Sequence, residues 1–163
     1  MELLESIEQA FRSVESPAPH ELKAIITGLE LTSEKVAPYI EEPSYLPYGR
    51  KVLYQSEEVE VILVHLPQGR QTLIHDHGAS VGCAFILEGQ MTNIIYRLDG
   101  FGYAQVVGES QLKQHQFLYA PKGQIHQMSN LGEGRMLSFH VYSPRLAGTK
   151  AFRTYEEVLD YVI

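Results

Sequence analysis

Residues 1–42 carry apolar side chains at helical spacing. Leu3, Leu4, Ile7, Ala10, Phe11 and Val14 recur on one face and predict an amphipathic helix. Ser16-Pro17-Ala18-Pro19 interrupts it, because proline disfavours helical backbone in the residue before it. A second helix is predicted with Leu22, Ile25, Ile26 and Leu29 along its apolar stripe, Pro19 or His20 near its start and Gly28 near its end. A short third helix follows, with Thr32 or Ser33 as its N-cap and Val36, Tyr39 and Ile40 inward. Stripes of this kind are core-forming, so these helices are expected to cover one face or end of something larger.

From Tyr45 the period shortens to two. Segments 51–55, 59–66, 71–77, 81–87, 91–98, 103–107, 116–120, 125–129 and 135–142 alternate or run apolar between turn residues, and read as strands. Glu88-Gly89-Gln90 reads as a hairpin turn between two of them, and Asp99-Gly100-Phe101-Gly102 as the next connection. Many short strands at regular spacing predict a sandwich or barrel. Residues 154–162 return to helical spacing, with Val158, Tyr161 and Val162 as apolar anchors. The expectation is a single, mostly β domain over residues 1–163: a helical segment at 1–42, a β-barrel at 45–145 and a C-terminal helical segment at 154–162.

Charge and cysteine content narrow the partners. The formal charge is −7 and no basic stretch offers phosphate neutralisation, which argues against nucleic acid. No apolar run reaches the ~20 residues needed to span a bilayer. The acidic start Met1-Glu2-Leu3-Leu4-Glu5 is unlike a signal peptide, and the lone Cys83 offers no intrachain disulfide, so the expected location is cytoplasmic.

The candidate chemistry lies in Gly69-Arg70-Gln71-Thr72-Leu73-Ile74-His75-Asp76-His77. On a strand, His75 and His77 face the same way, and paired imidazoles suit a divalent transition metal. Asp76, between them, faces away and is not expected as a ligand. A third ligand comes from His126, three residues past the turn at Pro121-Lys122-Gly123. On this pattern the chain resembles the cupin superfamily. Gly69, His75, His77 and Gly89 stand at the spacings of its first motif; Pro121, Gly123, His126 and Asn130 stand at those of its second. Two positions depart: Gly82 occupies the first motif's glutamate position, and His115 the second motif's leading glycine. Without the glutamate the ligand set is three neutral imidazoles. A bound metal then stays more positive and favours an anionic ligand such as a thiolate.

Within the cupins the chain resembles the bacterial cysteine dioxygenases, from about Tyr48 to Pro144. The resemblance rests on the three histidines, on Tyr48-Gly49-Arg50 and on Ser138-Phe139-His140-Val141-Tyr142-Ser143-Pro144. It implies Fe(II) held by His75, His77 and His126, with a small-molecule thiol and O2 as partners. It implies Arg50 on the substrate carboxylate, with Tyr48 beside it, and Tyr142 aimed at the reaction centre. Ser138 and His140 support that tyrosine, and the Ser143–Pro144 bond is cis. Alternation independently puts Ser138, His140 and Tyr142 on one face, where they can form a hydrogen-bonded relay.

The implied reaction is oxidation of L-cysteine to cysteine sulfinic acid. The rivals are a 3-mercaptopropionate dioxygenase, whose members carry glutamine at the place of Arg50; another cupin enzyme using Mn or Ni; and a non-catalytic cupin that binds a small molecule. Animal cysteine dioxygenases cross-link a cysteine to the active-site tyrosine. Gly82 holds that position here, and Cys83, one residue on, is expected on the opposite face, un-cross-linked to Tyr142. His20, His65 and His115 are expected to be structural or exposed, and the sequence leaves oligomeric state open.

Overall fold

A computed structural model describes the backbone of residues 2–162 and the side chains through residue 159. The helices come first: α1 (Leu3–Phe11), α2 (Pro19–Gly28) and α3 (Ser33–Val36), the last running into a 3-10 turn at Ala37–Tyr39. Pro19 opens α2, where its missing N–H costs nothing. The Glu21 carboxylate accepts from the Ala18 N–H at 3.2 Å. Thr32 caps α3 by accepting from the Lys35 N–H. The predicted helix at 154–162 is α4 (Tyr155–Val162). Val158 is half-buried, while the side chains of Tyr161 and Val162 lie outside the described residues. Among the described residues, no helix is long and apolar enough to cross a membrane.

Among the described residues, ten strands form two five-stranded sheets: β1 (Gly49–Gln55), β2 (Glu60–Leu66), β3 (Ile74–His75), β4 (Val81–Glu88), β5 (Met91–Leu98), β6 (Ala104–Leu112), β7 (Phe117–Ala120), β8 (Ile125–Ser129), β9 (Met136–Ser143) and β10 (Ala151–Phe152). One sheet has the order β1-β2-β9-β4-β7 and the other β10-β3-β8-β5-β6, with every pairing antiparallel. The arrangement is a cupin-like jelly roll with helices added at the N-terminus.

The first sheet is covered on both faces, so every residue of β2 and β9 is buried. Val61, Leu63, Cys83, Phe139 and Val141 pack outward against Ile7, Phe11, Leu22 and Ile26 of the helices. Ile62, Val64, Ile86, Met136 and Tyr142 point inward, toward Met91 and Met128 of the second sheet. This double covering explains why 59–66 reads as an apolar run rather than as a half-polar alternation.

Three expectations are corrected. Glu88-Gly89-Gln90 is not a hairpin turn: β4 and β5 lie in different sheets, and the turn carries the chain across from one to the other. Gly89 has φ +78°, and a Cβ there would collide with the Arg135 carbonyl oxygen, so the crossing needs glycine. The strand expected at 71–77 shrinks to Ile74–His75 plus an isolated bridge from Gln71 to Ser129, and His77 lies beyond its end. β6 runs on to Leu112, past Gly108 and three polar residues. It is an edge strand with a solvent-facing side and needs no apolar alternation there.

Candidate metal centre

His75 and His126 face each other directly in the β3–β8 ladder, and the chain curls past β3 to bring in His77. The three rings stand 4.8–5.0 Å apart, centroid to centroid. One nitrogen from each ring lies within 4.8 Å of the others. The outer nitrogens of two rings are committed. His75 Nδ1 donates to the Leu73 carbonyl at 2.7 Å, and His126 Nδ1 donates to Asn93 Oδ1 at 2.7 Å. Each neutral ring has one N–H, so both Nε2 atoms are left as bare lone pairs aimed into the cluster. The Nε2 atoms of His77 and His126 are 3.2 Å apart. Two donor nitrogens that each reach one ion at about 2.1 Å can stand about 3 Å apart.

Electrostatics agree with that reading. Burial and the adjacent imidazoles hold His126 well below the ordinary histidine range. His77 falls to about 4, through burial and then His75. His75 is lowered mainly by burial. All three rings are therefore neutral, the form that binds a metal. Asp76 faces away, as expected. Its Oδ1 accepts from the N–H groups of Gly78 and Lys150, and its own N–H donates to the Lys150 carbonyl.

A cavity of about 230 Å³ opens onto the histidines, lined among others by Tyr48, Arg50, His75, His77, Tyr142 and Leu146. Behind Tyr142 runs a buried chain of contacts. Tyr142 Oη lies 3.1 Å from His140 Nδ1, and His140 Nε2 lies 2.7 Å from Ser138 Oγ. Burial pushes His140 down to about 3, so this ring is neutral, donating at one nitrogen and accepting at the other. Burial likewise raises Tyr142, whose phenol stays protonated. Of these three side chains Tyr142 alone lines the cavity.

A family model for cysteine dioxygenase type I matches residues 45–155. The chain belongs to that family. With its histidine cluster, this cysteine dioxygenase family member is an enzyme of the non-haem iron oxidoreductase kind. Among solved structures it resembles an uncharacterized conserved protein with a double-stranded β-helix domain from Klebsiella pneumoniae. The two are 22% identical, cover 73% of this chain and 89% of that one, and superpose with a TM-score of 0.59. It also resembles the cupin domain of Schizosaccharomyces pombe Cnp3, at 13% identity, 66% and 71% coverage and a TM-score of 0.55. KdgF from Halomonas sp. gives 18%, 66% and 91%, and 0.52. These likenesses show a shared cupin-like fold.

The family member's two departures from the cupin motifs have structural counterparts. Gly82 pairs directly with Tyr142 across β4–β9, and a Cβ there would come 2.9 Å from the tyrosine's Cε1. No carboxylate reaches the histidines from this position. Cys83 pairs with Val141 and packs in the helix-side core, on the opposite face from Tyr142, where burial pushes its thiol up to about 12. His115, at the second motif's glycine position, adopts the left-handed backbone that glycine takes most easily, at φ +70°, with its ring stacked on Phe85. The Ser143–Pro144 bond is cis. His65 is buried and donates from Nδ1 to the Glu41 carbonyl, while His20 is exposed.

Sequence reasoning passed over two side chains at this site. Asn93 of β5 orients His126. Glu60 of β2 accepts from Arg50 Nη2 at 3.1 Å and from Gln55 Nε2 at 2.8 Å. The available signal was polarity in a buried strand: a charge within 59–66 and an amide within 91–98 each require a partner.

Proposed function

We propose that this chain is an Fe(II)-dependent thiol dioxygenase that converts L-cysteine and O2 to cysteine sulfinic acid. The observation that carries the reading is one cavity lined both by Arg50 and by His75 and His77, two members of the histidine cluster. A ligand filling it can meet both a metal site and a cation, which suits a small thiol bearing a carboxylate.

Fe(II) held by His75, His77 and His126 supplies a Lewis-acidic anchor for sulfur and the redox capacity that thiol oxidation by O2 requires. The chain's own groups bind and orient. Arg50 takes the substrate carboxylate through charge-assisted hydrogen bonds, with Tyr48 beside it. Ile62 and Val64 supply apolar wall. Tyr142 presents its hydroxyl at the reacting end, and His140 and Ser138 hold that hydroxyl in place. The balance is simple: the thiol gains both oxygen atoms of O2 and no other reductant is consumed.

The test is anaerobic addition of cysteine to Fe(II)-loaded protein, then a pulse of isotopically labelled O2. The expected product is cysteine sulfinic acid carrying two labelled oxygens. An Arg50→Gln change should weaken cysteine use far more than metal binding. Absence of oxygen uptake with cysteine would refute the reading; faster turnover of 3-mercaptopropionate would move the substrate to that thiol. Metal analysis of protein made without added metal should find iron, and manganese or nickel in its place would favour a different cupin chemistry.

A further inference from the structure

Glu60 is the one acidic residue of β2, whose other residues apart from His65 are apolar, and it is only 4% exposed. A buried carboxylate is costly unless its oxygens are paired. Both are: Oε2 on Arg50 at 3.1 Å, Oε1 on Gln55 at 2.8 Å. The register explains the geometry. Glu60 pairs with Tyr142 across β2–β9, and Gln55 with Glu60 across β1–β2, so Glu60 shares the cavity-side face with Tyr142. Arg50 pairs with Val64, two turns of the pleat along the same face. The guanidinium thus bridges from Glu60 to the cavity that it lines. Only Nη2 is used by the glutamate, and a guanidinium keeps further N–H donors for a ligand.

We infer that Glu60 is a positioning residue which, braced by Gln55, holds Arg50 in the orientation that selects a carboxylate-bearing ligand. The inference rests on the reading of Arg50 as the carboxylate-binding group. A free arginine side chain has many rotamers, and fixing them before the ligand arrives raises affinity without adding an interaction. The glutamate's charge works against the ligand's own carboxylate, so position and charge have opposite signs and separate variants resolve them.

The experiment compares anaerobic binding of L-cysteine and L-cysteine methyl ester to the Fe(II)-loaded protein by calorimetry. The ester keeps the thiol and amine and loses the negative charge. The wild-type protein should prefer cysteine. Glu60→Ala should cut that preference about tenfold by weakening cysteine alone, a change on the scale of a single charge-assisted hydrogen bond. Glu60→Gln, whose amide oxygen still accepts from Arg50, should keep the preference at or above the wild-type level. Should Glu60→Ala fail to fold, Gln55→Ala, at an exposed position, carries the test with an expected fall of about threefold. A preference that survives Glu60→Ala, or a fall shared equally by cysteine and its ester, overturns the inference alone. A wild-type protein indifferent to the ester overturns the reading of Arg50, and this inference with it.

Discussion

At the scale of single residues, the site is an arrangement of neutral rings. His75→Ala, His77→Ala and His126→Ala are each expected to remove most bound iron, measured by metal analysis after gel filtration. Tyr142→Phe should retain the iron and lose roughly 100-fold in turnover, the size of effect expected when a proton-handling group is removed. Iron loss in that variant would contradict its place beside the cluster. Burial also writes a pH dependence into the metal-free protein. His140 titrates at about 3 and His77 at about 4 in the folded chain, against 6.5 when exposed. The unfolded chain therefore takes up protons first as pH falls. Stability from these rings is complete above pH 6.5 and declines below it, by about 1.4 kcal/mol per pH unit for each ring. Urea denaturation of metal-stripped protein at a series of pH values should show the decline. A flat profile would mean that the rings gain protons as easily folded as unfolded.

At the scale of elements, what matters is which strand delivers what. β8 carries His126 and β5 carries the Asn93 that fixes its tautomer, two neighbours in one ladder. Asn93→Ala should weaken metal affinity by about 10- to 100-fold while leaving the far-UV circular dichroism unchanged. Unaltered affinity would show that the β8 backbone alone orients the ring. Much of this was legible in advance. Met91–Leu98 and Ile125–Ser129 fall where the pattern puts strands, because buried apolar residues recur in each between abrupt turn residues at its ends. The cluster was legible because its ligands sit at fixed offsets from turn glycines and a proline. What alternation does not encode is the partner of a strand. The residues flanking Gly89 look like a hairpin from either side, and only the two-sheet packing shows that the chain crosses over. Two-residue strands such as β10 are too short to carry a period at all. Glu60 and Asn93 were hidden for a related reason: their partners lie on other strands, at separations no local spacing specifies.

At the scale of the molecule, the first sheet divides two interiors. One, toward the helices, holds Ile26 and Cys83; the other, toward the second sheet, holds the histidines and Tyr142. Damage to the first should be felt as stability rather than chemistry. Ile26→Ala, at a residue 1% exposed, should cost about 2–5 kcal/mol in chemical denaturation yet leave the metal affinity of the folded fraction within about threefold. A proportionate loss of metal would mean that the helices shape the site through the sheet. The segment lining the cavity beyond β9 is tied in differently. Asp76, set between two histidines, exchanges hydrogen bonds with both the N–H and the carbonyl of Lys150. Whatever fixes the two rings therefore also fixes the backbone at the cavity's rim. Amide hydrogen exchange makes the coupling visible: metal addition should slow exchange at Lys150 and its neighbours, far along the chain from any ligand, and Asp76→Ala, which removes the carboxylate's bond to the Lys150 N–H and keeps the backbone one, should reduce that distant protection while the histidines still bind.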